Sequence, residues 1–253
     1  MIKSQVIKMM TIPFTISIAA STDDVLNETF ALIMKPIRQR LAQVEQNYSA
    51  FRADSLVTRF QNGEDQLLIE NSEFQQIYAA TKEAQLQTEG YFDPMFSGKF
   101  DPTGYVKGWA ITRIFNESLR PLLADPRIDG VCLNGGGDLQ VASRSDWDFT
   151  WHIGIENPQD LQKFIGAYAI ANGAVASSGV SKRGHHIKVF GEADLLQVSI
   201  IDPDLVMADV WATAGIAAGW DRFKELIKDH RLSGMAVTKS KIIEFDRGVM
   251  TNA

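Results

Sequence analysis

Four short segments of the chain combine residue types that bind phosphates, cations or protons. The first runs from Asp101 to Gly108 and reads Asp-Pro-Thr-Gly-Tyr-Val-Lys-Gly, with a glycine-containing turn that leads into a helix. Gly104 lets the backbone approach a ligand closely, the helix start offers free amides to an anion, and Lys107 adds a positive charge. The alternative, which this motif alone favours, is that Asp101 caps the helix and Lys107 is solvated.

The second segment is a run of three glycines, Gly135 to Gly137, between Asn134 and Asp138. Such a run lets the backbone approach a phosphate or an aromatic ring, but the same residues also form a tight hairpin. The segment that follows is apolar and strand-like rather than helical, which argues against a dinucleotide-binding fingerprint. A ligand-binding loop and a plain hairpin therefore both stay open.

The third segment places Asp209 and Thr213 four residues apart in an alanine-rich helix. Side chains at this spacing point the same way, so a carboxylate and a hydroxyl can offer two hard oxygen ligands to one cation. Magnesium is the natural candidate. The alternative, favoured in the absence of other support, is that Asp209 complements the helix dipole and that Thr213 bonds its own backbone.

The fourth segment is a serine turn, Ser177-Ser178-Gly179, that precedes the histidine pair His185-His186. Histidine is the side chain best suited to accept a proton from a hydroxyl near neutral pH. Adjacent side chains on an extended chain face opposite ways, so one histidine of the pair at most can face a site. Exposure of both histidines in a solvated loop is an equally good interpretation.

Hydrophobic periodicity predicts the elements that must position these segments. Strands are predicted at 11–19, 131–133, 139–142, 150–155, 164–170, 174–178 and 195–200, and helices at 25–47, 73–87, 107–115, 206–220 and 221–229. Ser21 or Asp23 is the predicted cap of the first helix, and Glu89-Gly90 closes the second with a left-handed residue. No repeat or linker divides the chain, which predicts one compact α+β domain over 1–253, with a mixed or antiparallel sheet and packed helices.

Composition excludes several classes of protein. The 253 residues are 45% hydrophobic and 22% charged, as in an average globular chain. The formal net charge of -6 argues against nucleic-acid binding, and the single cysteine, Cys132, excludes an intrachain disulfide and is expected to be buried as a small apolar side chain. No apolar run is long enough to span a bilayer. We therefore expect a cytoplasmic protein, or a periplasmic one if an export segment has been removed.

Taken together and in this order, the segments resemble the ApbE family of FAD:protein FMN transferases. The resemblance covers nearly the whole chain and also includes Met10-Thr11, Ser55 to Phe60, Gly90 to Asp93, Trp151 to Ile155 with Pro158, and Ala208 to Ala214. It implies an ApbE-like, T-fold-like domain and a magnesium-dependent enzyme. Such an enzyme splits FAD at its pyrophosphate, moves FMN onto a threonine hydroxyl of an acceptor protein, and releases AMP.

The resemblance also implies a role for individual residues. Asp209, Thr213 and the backbone carbonyl of Gly104 would hold the magnesium ion, and Asp209 would thereby be catalytic. His186 would be the general base that activates the acceptor threonine. The residues that would contact FAD are Met10, Phe51, Tyr91, Phe92, Asp93, Asp101, Lys107, Ser178 and Ile187.

The chain departs from the family pattern in two places. Seven residues separate Asp93 from Asp101, where the family has a much longer insertion, which predicts a more open pocket. After His186 the family continues Ile-Asp-Pro-x-Thr-Gly, whereas this chain continues with Ile187-Lys188-Val189-Phe190. The second departure changes the acceptor side of the site. The alternative function is therefore a family member that binds or hydrolyses FAD without transferring FMN, although the retained Asp209 and Thr213 favour catalysis.

Overall fold

The computed structural model describes residues 1–146, 148–179 and 194–251. The strands of this part of the chain are β1 (Ile2–Met9), β2 (Ile12–Ala20), β3 (Ile128–Gly135), β4 (Asp138–Ser143), β5 (Trp151–Asn157), β6 (Asp160–Ile170), β7 (Asn172–Gly179), β8 (Leu195–Asp202), β9 (Ser233–Thr238), β10 (Ile242–Asp246) and β11 (Val249–Thr251). The α-helices are α1 (Asp23–Tyr48), α2 (Leu56–Gln61), α3 (Leu67–Glu70), α4 (Ser72–Gln87), α5 (Thr103–Ile114) and α6 (Leu205–Asp229).

Nine of these strands form one sheet in the order β1-β2-β3-β4-β7-β8-β9-β10-β11, and β5 and β6 form a separate hairpin. Every pairing between described strands is antiparallel. Among the described connections, turns join β1 to β2 and β3 to β4, the β5–β6 hairpin lies between β4 and β7, and helices lie between β2 and β3 and between β8 and β9. This topology brings the β1–β2 turn, the β3–β4 turn, the end of β7 and the start of β8 to one edge of the sheet.

The two faces of the sheet are covered by different layers. On one face Ile16 and Ile18 of β2 are fully buried in a core shared with α1, α5 and α6. On the other face Cys132 and Val141 pack with Trp151 of the β5–β6 hairpin. Burying a large aliphatic side chain stabilises the fold by roughly 1.5–3 kcal/mol, so the period-two pattern fixes which face of β2 receives the helices.

Cys132 confirms the expectation of a buried small apolar side chain. Burial raises the pKa of its thiol to about 12, because the charged thiolate would lose its solvation there. The thiol is therefore neutral at physiological pH, as expected of a buried apolar side chain.

The first helix forms where its apolar face was predicted, since Val25, Phe30, Ile37 and Leu41 are all buried. Its N-cap is Thr22, so the prediction of Ser21 or Asp23 is wrong by one residue; the Thr22 side chain accepts from the Val25 amide. The prediction of two successive helices at 206–220 and 221–229 is confirmed in substance. The range α6 consists of two helical segments that meet at Gly219, whose non-helical φ of 71° lies in the left-handed region.

The three consecutive glycines prove to serve the fold. Gly136 and Gly137 have φ values of 66° and 105° and form the turn of the β3–β4 hairpin, where the Gly137 amide donates to the Asn134 side chain. Glycine is required at position 135 for a different reason. A Cβ atom there would lie 2.7 Å from Ile111 Cδ1 and 2.9 Å from Phe14 Cε1, so only glycine lets α5 pack this closely on the sheet.

The predicted α+β class with packed helices is confirmed, with a sheet that is antiparallel throughout in the residues described. The assignment of the whole chain, 1–253, to a single domain stays a prediction. Of the helices seen in the described ranges, none combines the length and the apolar character that crossing a bilayer requires.

We expect Gly135→Ala to lower the free energy of unfolding by about 1–3 kcal/mol, because the added methyl would overlap Ile111 and Phe14, which are both fully buried. Chemical denaturation measures this change. Gly154→Ala is the matched control: its Cβ would meet the ring of Phe164, which is 70% exposed and free to turn into solvent. Equal stability of both variants would contradict the packing explanation.

Candidate active site

The candidate site lies at the sheet edge where the β1–β2 and β3–β4 turns meet. The Gly136 amide donates to the Pro13 carbonyl over 3.1 Å, which fixes the two turns side by side. Met10 and Thr11 in the first turn both have positive φ values, of 52° and 63°. A two-residue type I′ turn between antiparallel strands requires positive φ at both positions, so these values follow from the hairpin, and in non-glycine residues they cost conformational free energy.

Three charged side chains meet beneath this edge, each from a different element. Lys107 of α5 forms ion pairs with Asp138 at the start of β4 and with Asp209 of α6, where Nζ lies 3.3 Å from Asp209 Oδ2. The side chains are only 6%, 1% and 1% exposed. Charges are rarely buried so deeply unless they are paired, so this group constrains the surrounding fold. We call these three residues the charged cluster.

A close contact between two helices allows the charged cluster to form. The neighbour of Lys107 on α5 is Gly108, and a Cβ atom there would lie 3.2 Å from Val206 Cα and 3.6 Å from Asp209 Cβ. Glycine therefore lets α5 and α6 approach at the point where Lys107 reaches Asp209. The interpretation of Lys107 as a solvated lysine is wrong.

Asp138 is the member of the charged cluster that the sequence indicated least. It ends the glycine turn, and its Oδ1 accepts a hydrogen bond of 2.9 Å from the Ser177 amide of β7 while Oδ2 faces Lys107. The carboxylate thus joins β4, β7 and α5. An acid directly after a glycine turn was the one available signal, because its partners lie far away in the sequence.

Asp209 and Thr213 lie one helical turn apart on the same face of α6, as predicted. The Thr213 hydroxyl is 3.2 Å from the Ser178 hydroxyl of β7, and Ser178 is itself 8% exposed. Thr213 therefore has a hydrogen-bonding partner outside its own helix, contrary to the alternative in which it bonds only its own backbone. Two hydroxyls and a carboxylate face one region between α6 and the sheet.

The adjacent Ser177 side chain faces the opposite side of the sheet, toward the β5–β6 hairpin. Its hydroxyl lies 2.8 Å from that of Ser199, and the Gln197 amide group donates to both Ser199 and the Glu156 carbonyl. These polar contacts are largely buried. They connect the hairpin to the strand that carries Ser178.

Three of the residues predicted to contact FAD make contacts within the protein itself. Phe92 is buried, and its ring lies against Gly104. The Asp93 carboxylate accepts from the Gln85 side chain and from the Met95 amide, at 2.8 and 2.9 Å. Asp101 accepts from the Thr103 amide over 2.9 Å; it precedes the N-cap of α5, which is Pro102, so the prediction that Asp101 caps the helix is wrong.

The remaining predicted contacts differ in their surroundings. Met10 lines a groove of about 520 Å³ at the β1–β2 turn, opposite Glu45 of α1. Tyr91 is half-buried and packs against the core, whereas Phe51 is 89% exposed beyond the end of α1. His186 and Ile187 lie outside the described residues. The structure therefore gathers Lys107, Ser178, Asp209 and Thr213, and leaves the ring of Phe51 in solvent.

The described residues contain no group of three or more histidine, cysteine, aspartate or glutamate side chains that could hold a metal ion. The predicted ligand set is of another kind, because it contains one carboxylate, one hydroxyl and one backbone carbonyl. Its oxygen donors are those that hard cations such as Mg²⁺ prefer. Gly104 lies one helical turn before Gly108, the residue that contacts α6.

Comparison with known proteins identifies the family. The model of the ApbE family matches residues 10–99 and 95–237. The ApbE protein of Thermotoga maritima has a similar structure, with a TM-score of 0.75 and 16% identity over 97% of each chain. The flavinyl transferase ApbE of Pseudomonas stutzeri has a TM-score of 0.72 and 17% identity, over 99% of this chain and 94% of that one. The flavin transferase ApbE of Vibrio cholerae has a TM-score of 0.68 and 13% identity, over 98% and 97%. A search of curated proteins gives no match. The chain belongs to the ApbE family.

Proposed function

We propose that the protein is a magnesium-dependent transferase that moves FMN from FAD to a threonine hydroxyl of an acceptor protein and releases AMP. Family membership supports the reaction class, as do the names of the relatives from Pseudomonas stutzeri and Vibrio cholerae. The observation that carries the proposal is the position of Asp209 and Thr213 on one face of α6, where Thr213 lies beside Ser178 and Asp209 belongs to the buried charged cluster.

The donors at this position fit a magnesium ion. Asp209, Thr213 and the Gly104 carbonyl would hold it, and their hard oxygen chemistry matches the preference of the ion. When bound, the ion would neutralise negative charge on the pyrophosphate of FAD. The charged cluster keeps the Asp209 carboxylate in a defined orientation, because Lys107 and the packing at Gly108 restrict its motion.

In the proposed reaction, the hydroxyl oxygen of the acceptor threonine forms a bond to the phosphorus of the FMN half. The bond from that phosphorus to the bridging oxygen breaks, and AMP leaves with the electron pair. The hydroxyl proton passes to His186, the proposed general base. Ser178 lies beside Thr213 and would line the site where these atoms react.

The groove at Met10 is the proposed entry for the dinucleotide. It lies next to the β3–β4 turn, because the Gly136 amide donates to the carbonyl of Pro13, which lines the groove. The exposed ring of Phe51 is available to stack on a flavin or an adenine, and Tyr91 would contact FAD from the core side. Lys107 is assigned to the charged cluster rather than to FAD, because its ammonium faces two carboxylates.

The second candidate function is binding or hydrolysis of FAD without transfer. The altered sequence after His186 favours it, since that stretch would face the acceptor protein. Incubation with FAD, Mg²⁺ and no acceptor separates the candidates in part: release of AMP shows cleavage, whereas yellow colour without AMP shows binding alone. Covalent flavin on a co-expressed acceptor protein would then establish transfer.

We expect Asp209→Asn to lower magnesium-dependent AMP release from FAD by at least about a hundredfold, because a neutral amide is a poor ligand for Mg²⁺ and the shape of the side chain is kept. AMP is quantified by chromatography. Asp221→Asn on the same helix is the control, since its side chain is 92% exposed and pairs with Lys224 at the surface. Full activity of Asp209→Asn would refute the metal assignment.

We expect His186→Ala to lower kcat for AMP release by about 10²–10⁴-fold and to change KM for FAD little, because a general base acts on the proton of the attacking hydroxyl. Steady-state rates with water as the acceptor measure both constants. His152→Ala is the control: His152 lies on β5 and is exposed. A KM effect without a kcat effect would instead assign His186 to FAD binding.

A further inference from the structure

We propose that Lys107 is a positioning residue that sets how tightly the site binds its divalent cation. This inference rests on the proposed function, because it concerns the same Asp209 carboxylate. It differs from a role in binding FAD, since the ammonium group is buried between two carboxylates rather than presented to a ligand. In this view the Lys107 ammonium is a positive charge built into the protein beside the cation-binding carboxylate.

The first step of the argument is electrostatic strength. Lys107, Asp138 and Asp209 are almost completely shielded from water. Charge interactions in such surroundings are several times stronger than at the surface, where water and salt screen them. The Lys107 ammonium therefore strongly affects the potential at Asp209, and with it the affinity of that carboxylate for any other cation.

The second step is the balance of charge. Two carboxylates and one ammonium give the cluster a formal charge of -1. Without the ammonium the charge becomes -2, and a divalent ion at Asp209 is bound more tightly. Without the Asp138 charge it becomes 0, Lys107 is left with Asp209 as its acidic partner in the cluster, and the ion is bound more weakly.

The third step is the position of Asp138. Its carboxylate accepts a hydrogen bond of 2.9 Å from the Ser177 amide, which fixes its position. Lys107 Nζ lies 3.3 Å from Asp209 Oδ2 and is nearer to the Asp138 carboxylate. Asp138 thus shares the ammonium with Asp209, so Asp209 does not hold that positive charge alone.

The experiment measures binding of Mn²⁺ and Mg²⁺ alone, without FAD, by titration calorimetry. Four proteins are compared: wild type, Lys107→Met, Asp138→Asn and the double variant. We expect the affinity to rise about tenfold in Lys107→Met, to fall about tenfold in Asp138→Asn, and to return to within about threefold of wild type in the double variant, which restores the charge of -1. Methionine keeps the length of the lysine stem, and asparagine can still accept from Ser177.

Lys224→Met is the control for loss of a lysine on α6. Lys224 is half-exposed and pairs with Asp221 at the surface, so we expect unchanged cation affinity. A purely structural role of Lys107 would lower the affinity of every variant in step with its stability. It would not produce a gain in Lys107→Met or a recovery in the double variant.

Thermal unfolding with and without Mn²⁺ shows whether each variant folds. If Lys107→Met folds only when Mn²⁺ is present, the cation has replaced the ammonium, and the inference is supported. If that variant does not fold at all, the comparison of wild type with Asp138→Asn decides: a lower affinity supports the inference and an equal one overturns it. Equal affinity in all four proteins likewise overturns it.

AMP release from FAD is measured separately. An inactive protein that still shows the expected order of cation affinities would contradict only the proposed function.

Discussion

The structure depends on the burial of three charges that no single element supplies. A charged group inside a protein costs several kcal/mol unless a partner of opposite charge lies beside it. Lys107, Asp138 and Asp209 meet this condition only if α5, the start of β4 and the N-terminal part of α6 come together. The glycine at Gly108 removes the side chain that would keep the helices apart. The same contacts that complete the fold therefore orient the proposed catalytic carboxylate.

The apolar layers on both faces of the sheet provide the stability that such a cluster requires. Helices cover one face and the β5–β6 hairpin covers the other, so the strand ends are held rigidly while the turns between them remain accessible. Functional groups at the ends of rigid elements are positioned more accurately than groups on long loops. Met10, the glycine turn and Ser178 all lie at this edge, which explains why residues far apart in sequence converge there.

The sequence predicted the parts of this arrangement that are local. Period-two alternation located β2, and the four-residue spacing placed Asp209 and Thr213 on one helix face, because both patterns arise within one element. It could not predict the ion pair of Lys107 with Asp138, since that contact depends on how α5 packs on the sheet. It also missed β1, in which Ile7 is the one fully buried residue and alternation is weak, and the short helices α2 and α3. Nine residues were predicted to contact FAD, and for three of them, Phe92, Asp93 and Asp101, the structure shows partners within the fold.

The central claim is that the face of α6 bearing Asp209 and Thr213, beside the charged cluster, is where a divalent ion meets the pyrophosphate of FAD. The most direct measurement is the anomalous difference density of a crystal grown with Mn²⁺ and AMP. We predict a manganese peak in contact with the Asp209 carboxylate and adjacent to the Thr213 hydroxyl, with the phosphate of AMP beside it. A manganese ion bound elsewhere, with Lys107 still closing the space in front of Asp209, would contradict the account.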